Sequence, residues 1–491
     1  MTETKDISTQ NPQNTQTQDN YFDNLNSSET SAQETLKTKE SLLNQLNEEQ
    51  GIHFNDIIEQ IETYTKEGEF GSNTILITGK AGTGKSYLSS KIVKYFQDNP
   101  LDRKNKRVQC TALTHQAVKE LGKKLISSDV KINGLNGVST VHSYFRIKPV
   151  INFKTGKEEY VVEDDEKIKK CSILLIDEVS MLDGELWNLI TSKSYLYGTI
   201  ILIGDEYQVP PVNNSEFNLF QNTNITKFKL ENIVRQAEGN PIIQLASEIV
   251  EKIENKDYSN QSFCIRRIID YSKKHNEIKF VEDSKEFLQE YYDYVKEDIG
   301  KPILNSRFYD SFMTTYTNAA VDSFNHIAKC IFKQSNTVNL VDKGDLLILQ
   351  EPAFDPYIDN CLMMNNGSEF YVEKLEEEIY KGIPIYVAYN KDNFIRIIKP
   401  EGKLKYSNEI KKLANAARID RKLWIKFYSF KKKFVEVKQC FACTTHKSQG
   451  STVGRVFFDL HNLPWSTDID LAFRLCYVAI TRTSDKLVAK N

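Results

Sequence analysis

The stretch Gly79-Lys80-Ala81-Gly82-Thr83-Gly84-Lys85-Ser86 has the spacing that wraps a backbone around phosphate oxygens. Its glycines let main-chain N–H groups converge on one point. The positive end of a following helix adds to the field there. Gly79, Ala81, Gly82, Thr83 and Gly84 form the cradle, Lys85 reaches the β- and γ-phosphates, and Ser86 offers a hydroxyl to Mg²⁺. A second chemical pair is Asp177-Glu178. Asp177 suits Mg²⁺, mostly through water. Glu178 points elsewhere and suits a general base that polarises attacking water. A third candidate is Gln208, in Gly204-Asp205-Glu206-Tyr207-Gln208-Val209-Pro210-Pro211. Its amide suits sensing the γ-phosphate or positioning water, although Gly, Asp and Pro also make ordinary turns.

Such residues need strands to hold them. Thr74-Ile75-Leu76-Ile77-Thr78 runs straight into the phosphate loop, and Leu88, Ile92 and Tyr95 follow at helical spacing. Ile173-Leu174-Leu175-Ile176 ends at Asp177, and Ile200-Ile201-Leu202-Ile203 ends at Gly204-Asp205. Short, wholly apolar runs are the mark of buried parallel strands. Open α/β sheets place their chemistry at the carboxyl ends of such strands. The fold class is therefore α/β and doubly wound. The alternation weakens after about residue 340, where turn signals such as Asn365-Asn366-Gly367 precede a basic helical stretch.

The bulk properties set limits. At 491 residues the chain is too long for one ordinary domain. Its charged fraction of 27% is ordinary, and a net charge of -3 means that any nucleic-acid surface is local. Residues 1–40 are polar and acidic and read as a disordered tail. Met1 to Asn20 has no apolar core, so it does not read as a secretory signal. With eight scattered cysteines, this points to a reducing cytoplasm. Cys440-Phe441-Ala442-Cys443 has no second pair at ligand spacing, which argues against a metal there. No apolar run approaches the length of a membrane span.

Taken in order, these and later stretches resemble the superfamily 1 helicases. Asp177-Glu178-Val179-Ser180-Met181, Gly204-Asp205 with Gln208, and Val234-Arg235-Gln236 are similar to motifs II, III and IV. Thr445-His446-Lys447-Ser448-Gln449-Gly450 resembles motif V, and Tyr477-Val478-Ala479-Ile480-Thr481-Arg482 motif VI. Thr114-His115-Gln116-Ala117 and Thr140-Val141-His142-Ser143 look like motifs Ia and Ib of the RecD-like branch. Leu349-Gln350-Glu351-Pro352 and Tyr316-Thr317-Asn318 read like the Dda type of phages. The resemblance covers about Leu46 to Leu487.

It implies two RecA-like parallel-sheet domains that clamp ATP and Mg²⁺ between them. The first spans 41–230, with a pin insertion at about 146–168. The second spans 231–340 and 441–491, with a small β-barrel/helical subdomain inserted at 341–440. It implies that Gln50, in Leu46-Asn47-Glu48-Glu49-Gln50, reads the adenine edge; Asn47 and Gln50 also have the spacing of a helix capping box. It places Gly450 at the nucleotide, and it makes Arg235 and Arg482 the arginines that reach the γ-phosphate from the second domain. Thr114, His115, Thr140, His142, Asn318, Thr445 and His446 would line a single-strand groove, with His446 alternatively relaying the state of ATP.

Lys148 to Val162 reads as a hairpin at the place of the pin, where Phe153 and Tyr160 either stack on bases or pack the hairpin. Residues 403–438 hold twelve Lys/Arg against three acids, with Trp424, Phe427, Tyr428 and Phe430 interleaved. That pattern fits strand binding or an amphipathic helix packed on its own subdomain. The implied activity is ATP-dependent movement on single-stranded and forked DNA, 5′ to 3′, by a monomer working in replication or recombination beside a single-strand-binding protein or replisome components. The rival readings are an RNA helicase and a strand clamp or protein-displacing translocase that does not unwind.

Overall fold

Strand β1, Asn73–Gly79, shows how the first domain is built. Successive side chains of a strand point to opposite faces. Ile75 and Ile77 enter one core with Phe54, Leu88 and Ile92, and Leu76 enters another with Leu174, Trp187 and Leu202. A sheet that is apolar on both faces must be covered by helices on both faces. The structure, a computed structural model, describes residues 35–66, 73–101, 107–132, 137–152, 157–162, 165–211, 217–234, 239–297, 310–355, 357–358 and 361–491.

The chain runs through helix Glu48–Lys66, β1, helix Lys85–Asp98, β2 (Val108–Ala112), helix His115–Ser127, β3 (Val138–Thr140) and the single turn Val141–Tyr144. A hairpin follows, β4 (Ile147–Asn152) and β5 (Lys157–Val162), then β6 (Cys171–Asp177), helix Gly184–Ser192, β7 (Tyr197–Ile203) and β8 (Thr226–Leu230). The sheet order is β3-β2-β6-β7-β1-β8, and every pair is parallel.

The second parallel sheet starts with β9 (Ile278–Val281) and β10 (Ser311–Thr315), which leads into helix Asn318–Lys333. Short antiparallel strands then interrupt it: β11 (Leu346–Leu349), β12 (Ala353–Phe354), β13 (Leu362–Met364), β14 (Glu369–Tyr371), β15 (Lys374–Tyr380), β16 (Ile383–Tyr389), β17 (Phe394–Ile398) and β18 (Val437–Gln439). The sheet resumes with β19 (Ala442–Thr444), β20 (Val453–Asp459), helix Ile469–Thr481 and β21 (Thr483–Lys490), in the order β19-β10-β20-β21-β9. Its core joins Phe457 and Val488 to Ile249 of helix Pro241–Glu254 and to Phe473 and Tyr477 of the Ile469–Thr481 helix.

A buried ion cluster fixes the root of the interruption. Lys329 Nζ lies 2.6 Å from Asp345 and 2.9 Å from Asp342, and Gln439 Nε2 donates to Asp345 at 3.0 Å. Both ends of the inserted segment are thereby tied to one helix. Within it, Tyr428 and Phe430 are buried, and Phe430 packs near Phe434 and Tyr406. Trp424 and Phe427 meet edge to face at 5.2 Å. Of the two readings of the basic segment, packing on the chain's own subdomain describes these two buried aromatics. No helix among the described residues is long and apolar enough to cross a membrane.

Candidate nucleotide site and nucleic-acid groove

The phosphate loop leaves β1 and enters helix Lys85–Asp98 through left-handed glycines, with φ of 83° at both Gly82 and Gly84. That region is open to glycine and strained for other residues. A side chain on Gly84 would also collide with the Gln50 amide. Gln50 is buried and donates to Thr83 O at 3.2 Å. Its N–H takes Asn47 Oδ1 at 2.8 Å, while Asn47 N–H takes Gln50 Oε1 at 3.3 Å. The capping box therefore exists, and it braces the loop that Gln50 adjoins. Lys85 Nζ donates to Gly79 O at 2.6 Å and Lys80 O at 2.9 Å. Ser86 Oγ accepts from Lys124 Nζ at 3.1 Å.

Strands β6 and β7 deliver the acids beside this loop, because β7 lies between β6 and β1. Asp177 is buried, and burial pushes its carboxyl up to about 6, with Glu178 adding to the rise while Lys124, a backbone N–H and Lys85 oppose it. Glu178 N–H supplies that bond to Asp177 Oδ1 at 2.9 Å. Glu178 sits at φ 58°, a left-handed strain at the junction between β6 and the turn that follows. The donor set fits a divalent cation. A hydroxyl and a buried carboxylate face one cationic group, and that group is now the Lys124 ammonium. When bound, Mg²⁺ would neutralise developing phosphate charge between Ser86 and Asp177.

The second domain meets this site through one helix face and through Gln449 and Gly450. From the Ile469–Thr481 helix, the Tyr477 hydroxyl accepts from Ala81 N–H at 2.7 Å and donates to Asp205 Oδ2 at 2.5 Å. Arg474 Nη1 donates to Glu206 O at 2.6 Å and Gln208 O at 3.2 Å. Gln449 Nε2 reaches Gln208 Oε1 at 3.3 Å and Val209 O at 3.2 Å. Arg482 caps that helix and is 7% exposed, and its Nε has no hydrogen-bond partner among the described residues. A guanidinium buried beside Tyr477 with an idle donor is arranged for an anion. Arg235 lies outside the described residues; Val234, the residue before it, donates its N–H to Gly82 O at 3.0 Å. Gly450, at φ 74°, abuts Ala117 of the first domain.

The groove candidates stand on adjacent strand ends. Thr114 follows β2 and caps helix His115–Ser127, and Thr140 ends β3 and caps the next turn. In the second sheet Thr317 caps helix Asn318–Lys333 after β10, and Thr444 ends β19 and caps the turn holding His446. Each pair of strands is neighbouring at one edge of its sheet. Asn318 is exposed. Loss of hydration holds His115, His142 and His446 below the usual histidine range, although His142 keeps an exposed side; Lys119 and His142 depress His115 further, and Asp183 opposes the shift at His142. Thr445 corrects one expectation. It is fully buried, and its hydroxyl is engaged with Thr314 Oγ1 at 3.0 Å and Thr315 O at 3.3 Å, so it supports the turn from beneath. With no exposed surface and its hydroxyl held by Thr314 and Thr315 at the end of β10, the side chain has no route outward.

In the hairpin, Tyr160 pairs with Pro149 across the ladder, while Phe153 lies outside the described residues. Sequence reasoning missed Lys124, Arg474, Tyr477 and Gln449 as site residues. Tyr477 and Gln449 lay inside motifs already recognised. Arg474 shares a helix face with Tyr477 at a spacing of three, a signal that was available. Lys124 is ten residues beyond Thr114 and belongs to no motif.

The family model described as an AAA domain matches residues 63–214, and the one described as the UvrD-like helicase C-terminal domain matches residues 439–489. The ATP-dependent DNA helicase dda of Enterobacteria phage T4 is 28% identical over 83% of this chain and 92% of its own length. The RecBCD enzyme subunit RecD of Buchnera aphidicola is 23% identical over 85% of this chain and 70% of its own. Among solved structures, the Pif1 helicase from Candida albicans aligns over 91% of this chain and 94% of its own, at 17% identity and a TM-score of 0.42. Motif order, the two matched models and relatives that align over 83% and 85% of the chain agree, and the chain is similar to the superfamily 1 helicases of the RecD-like branch.

Proposed function

We propose that this protein is an ATP-dependent DNA helicase, which hydrolyses ATP between its two parallel-sheet domains and moves along single-stranded DNA to open forked duplex. The observation that carries the reading is the junction of Ala81, Tyr477, Asp205 and Lys85, with buried Arg482 beside it. One domain brings the loop, the metal ligands and the acids, and the other brings the guanidinium. Lys85 and the loop amides hold the phosphates, Asp177 and Ser86 hold the metal, Glu178 takes the proton of the attacking water, and Gln208 orients that water. Arg482, and Arg235 with it, neutralises the charge that spreads over the transferring group. Loss of the γ-phosphate removes what the arginines grip, so the domains part.

Thr114, His115, Thr140, His142, Asn318 and His446 contact the strand without reading its sequence, and the hairpin of β4 and β5 divides the duplex. Travel from 5′ to 3′, a monomeric working unit, and a role in replication or recombination beside a single-strand-binding protein rest on the resemblance, and a cytoplasmic location rests on the scattered cysteines and the polar first residues. The test is unwinding of forked DNA that carries only a 5′ or only a 3′ loading tail, with and without ATP. ATP-dependent strand separation from the 5′ tail is expected. Phosphate release without strand separation on either substrate would leave a translocating clamp, and preference for a matched RNA fork would replace DNA as the substrate.

A further inference from the structure

We propose that the Tyr477 hydroxyl is a positioning group of the hydrolysis site, which ties the phosphate loop to Asp205 across the domain boundary and governs when Lys85 leaves Asp205 for the nucleotide. This rests on the reading of the chain as an ATP-hydrolysing motor. Tyr477 is 1% exposed, so its hydroxyl cannot turn to water instead.

The contacts form a closed ring. Ala81 N–H donates to the Tyr477 oxygen at 2.7 Å, and the hydroxyl donates to Asp205 Oδ2 at 2.5 Å. The same Oδ2 lies 3.8 Å from Lys85 Nζ, and Lys85 returns to the loop through Gly79 O and Lys80 O. Asp205 is 1% exposed, and its other oxygen accepts only the Tyr207 N–H, at 3.0 Å, among the hydrogen bonds of the described residues. A carboxylate buried this deeply is costly unless donors surround it. Burial pushes the Asp205 carboxyl upward, and Lys85 and the Tyr477 bond pull it back. Tyr477 therefore favours the charged form, and the charged form detains Lys85.

The ring is also sensitive to domain movement. Tyr477 and Arg474 stand on the helix that Arg482 caps, and Arg474 holds the carbonyls of Glu206 and Gln208. The segment after β7 must follow that helix. Hydrogen bonds weaken steeply with misalignment, so a small rotation that brings Arg482 inward reshapes the contact at Ala81 at the same moment. A Lys85 released from Asp205 and a guanidinium delivered to the γ-phosphate then become one event.

Tyr477→Phe tests this, because it removes the hydroxyl and keeps the ring. Strand-stimulated kcat should fall about tenfold or more, while KM for ATP stays within roughly threefold and the thermal midpoint holds. Asp205→Asn attacks the same junction from the other domain. It should show the same kcat loss, and the double variant should lose no more than the worse single one. An unchanged kcat in Tyr477→Phe overturns the proposal. So do additive losses in the double variant, or a fall in stability that accounts for the fall in rate. If Tyr477→Phe does not fold, the kcat-to-KM split in Asp205→Asn decides alone. Wild-type protein that hydrolyses no ATP on single-stranded DNA would instead bring down the motor reading, and this proposal with it.

Discussion

Lys124, in the last turn of helix His115–Ser127, donates to Ser86 Oγ at 3.1 Å and is the foremost charge countering the effect of burial on Asp177. A tethered ammonium thus stands among the groups proposed to hold Mg²⁺. A bound Mg²⁺ would compete with it for Ser86. Lys124→Ala should lower the Mg²⁺ concentration needed for half-maximal ADP binding several-fold, read with a fluorescent ADP analogue. An unaltered Mg²⁺ dependence would mean that the lysine contacts Ser86 without rivalry.

Arg482→Ala should act on turnover and spare affinity. The side chain is buried with an idle Nε, so it is oriented before any ligand arrives. Arginines in this role contribute about 10³–10⁵ in rate. Single-turnover hydrolysis should drop toward that range, with nucleotide affinity changed by less than about tenfold (roughly 1.4 kcal/mol). A normal single-turnover rate would remove Arg482 from the site.

Lys85→Ala separates the two sites. Among the contacts of the described residues its ammonium touches loop carbonyls and Asp205, and none of the capping threonines. Hydrolysis should vanish while binding of labelled single strands stays within about threefold (roughly 0.7 kcal/mol). Loss of strand binding with hydrolysis intact would contradict the arrangement.

The ion cluster at the root of the inserted strands should govern stability. Lys329 is 2% exposed and faces Asp345 and Asp342. Lys329→Met leaves two acids without their central cation, and breaking a buried pair in this way costs about 3–5 kcal/mol. Urea unfolding should show that loss, concentrated in the second domain. A change below about 1 kcal/mol would mean that Lys333 alone suffices.

The histidines set a pH expectation. His115, His142 and His446 are all held below the ordinary histidine pKa, with loss of hydration the largest cause in each. A lowered pKa means that they are neutral at pH 7 and gain charge only below the usual range, near about 6.5. Affinity for an oligothymidine at fixed ionic strength should stay flat from pH 8 to 7 and strengthen only on further acidification. A steep gain between pH 8 and 7 would assign those charges differently.

Much of this site was legible before any coordinates, because strands and glycine loops announce themselves in single residues. Ile75-Leu76-Ile77 ahead of Gly79, and Leu174-Leu175-Ile176 ahead of Asp177, need no tertiary knowledge to be read as strands ending in chemistry. Tyr477 was different. Its partners, Ala81 and Asp205, lie 396 and 272 residues away, and only the packing of one domain on the other joins them. Thr445 erred for the complementary reason. Two consecutive threonines share the chemistry of a strand contact, and the end of β19 decides that Thr444 caps while Thr445 turns inward. Lys124 could not be found by motif, since a lysine on a helix face is ordinarily solvated.

Helix His115–Ser127 carries Thr114 and His115 at its first turn and Lys124 at its last. The rise between those ends is roughly 14 Å, along a rod stiffened by its own hydrogen bonds. A stiff rod transmits displacement without loss, so a strand that nudges the capping threonine also tilts the ammonium at Ser86. News of the track would then reach the fuel chamber as one mechanical stroke, with no courier in between.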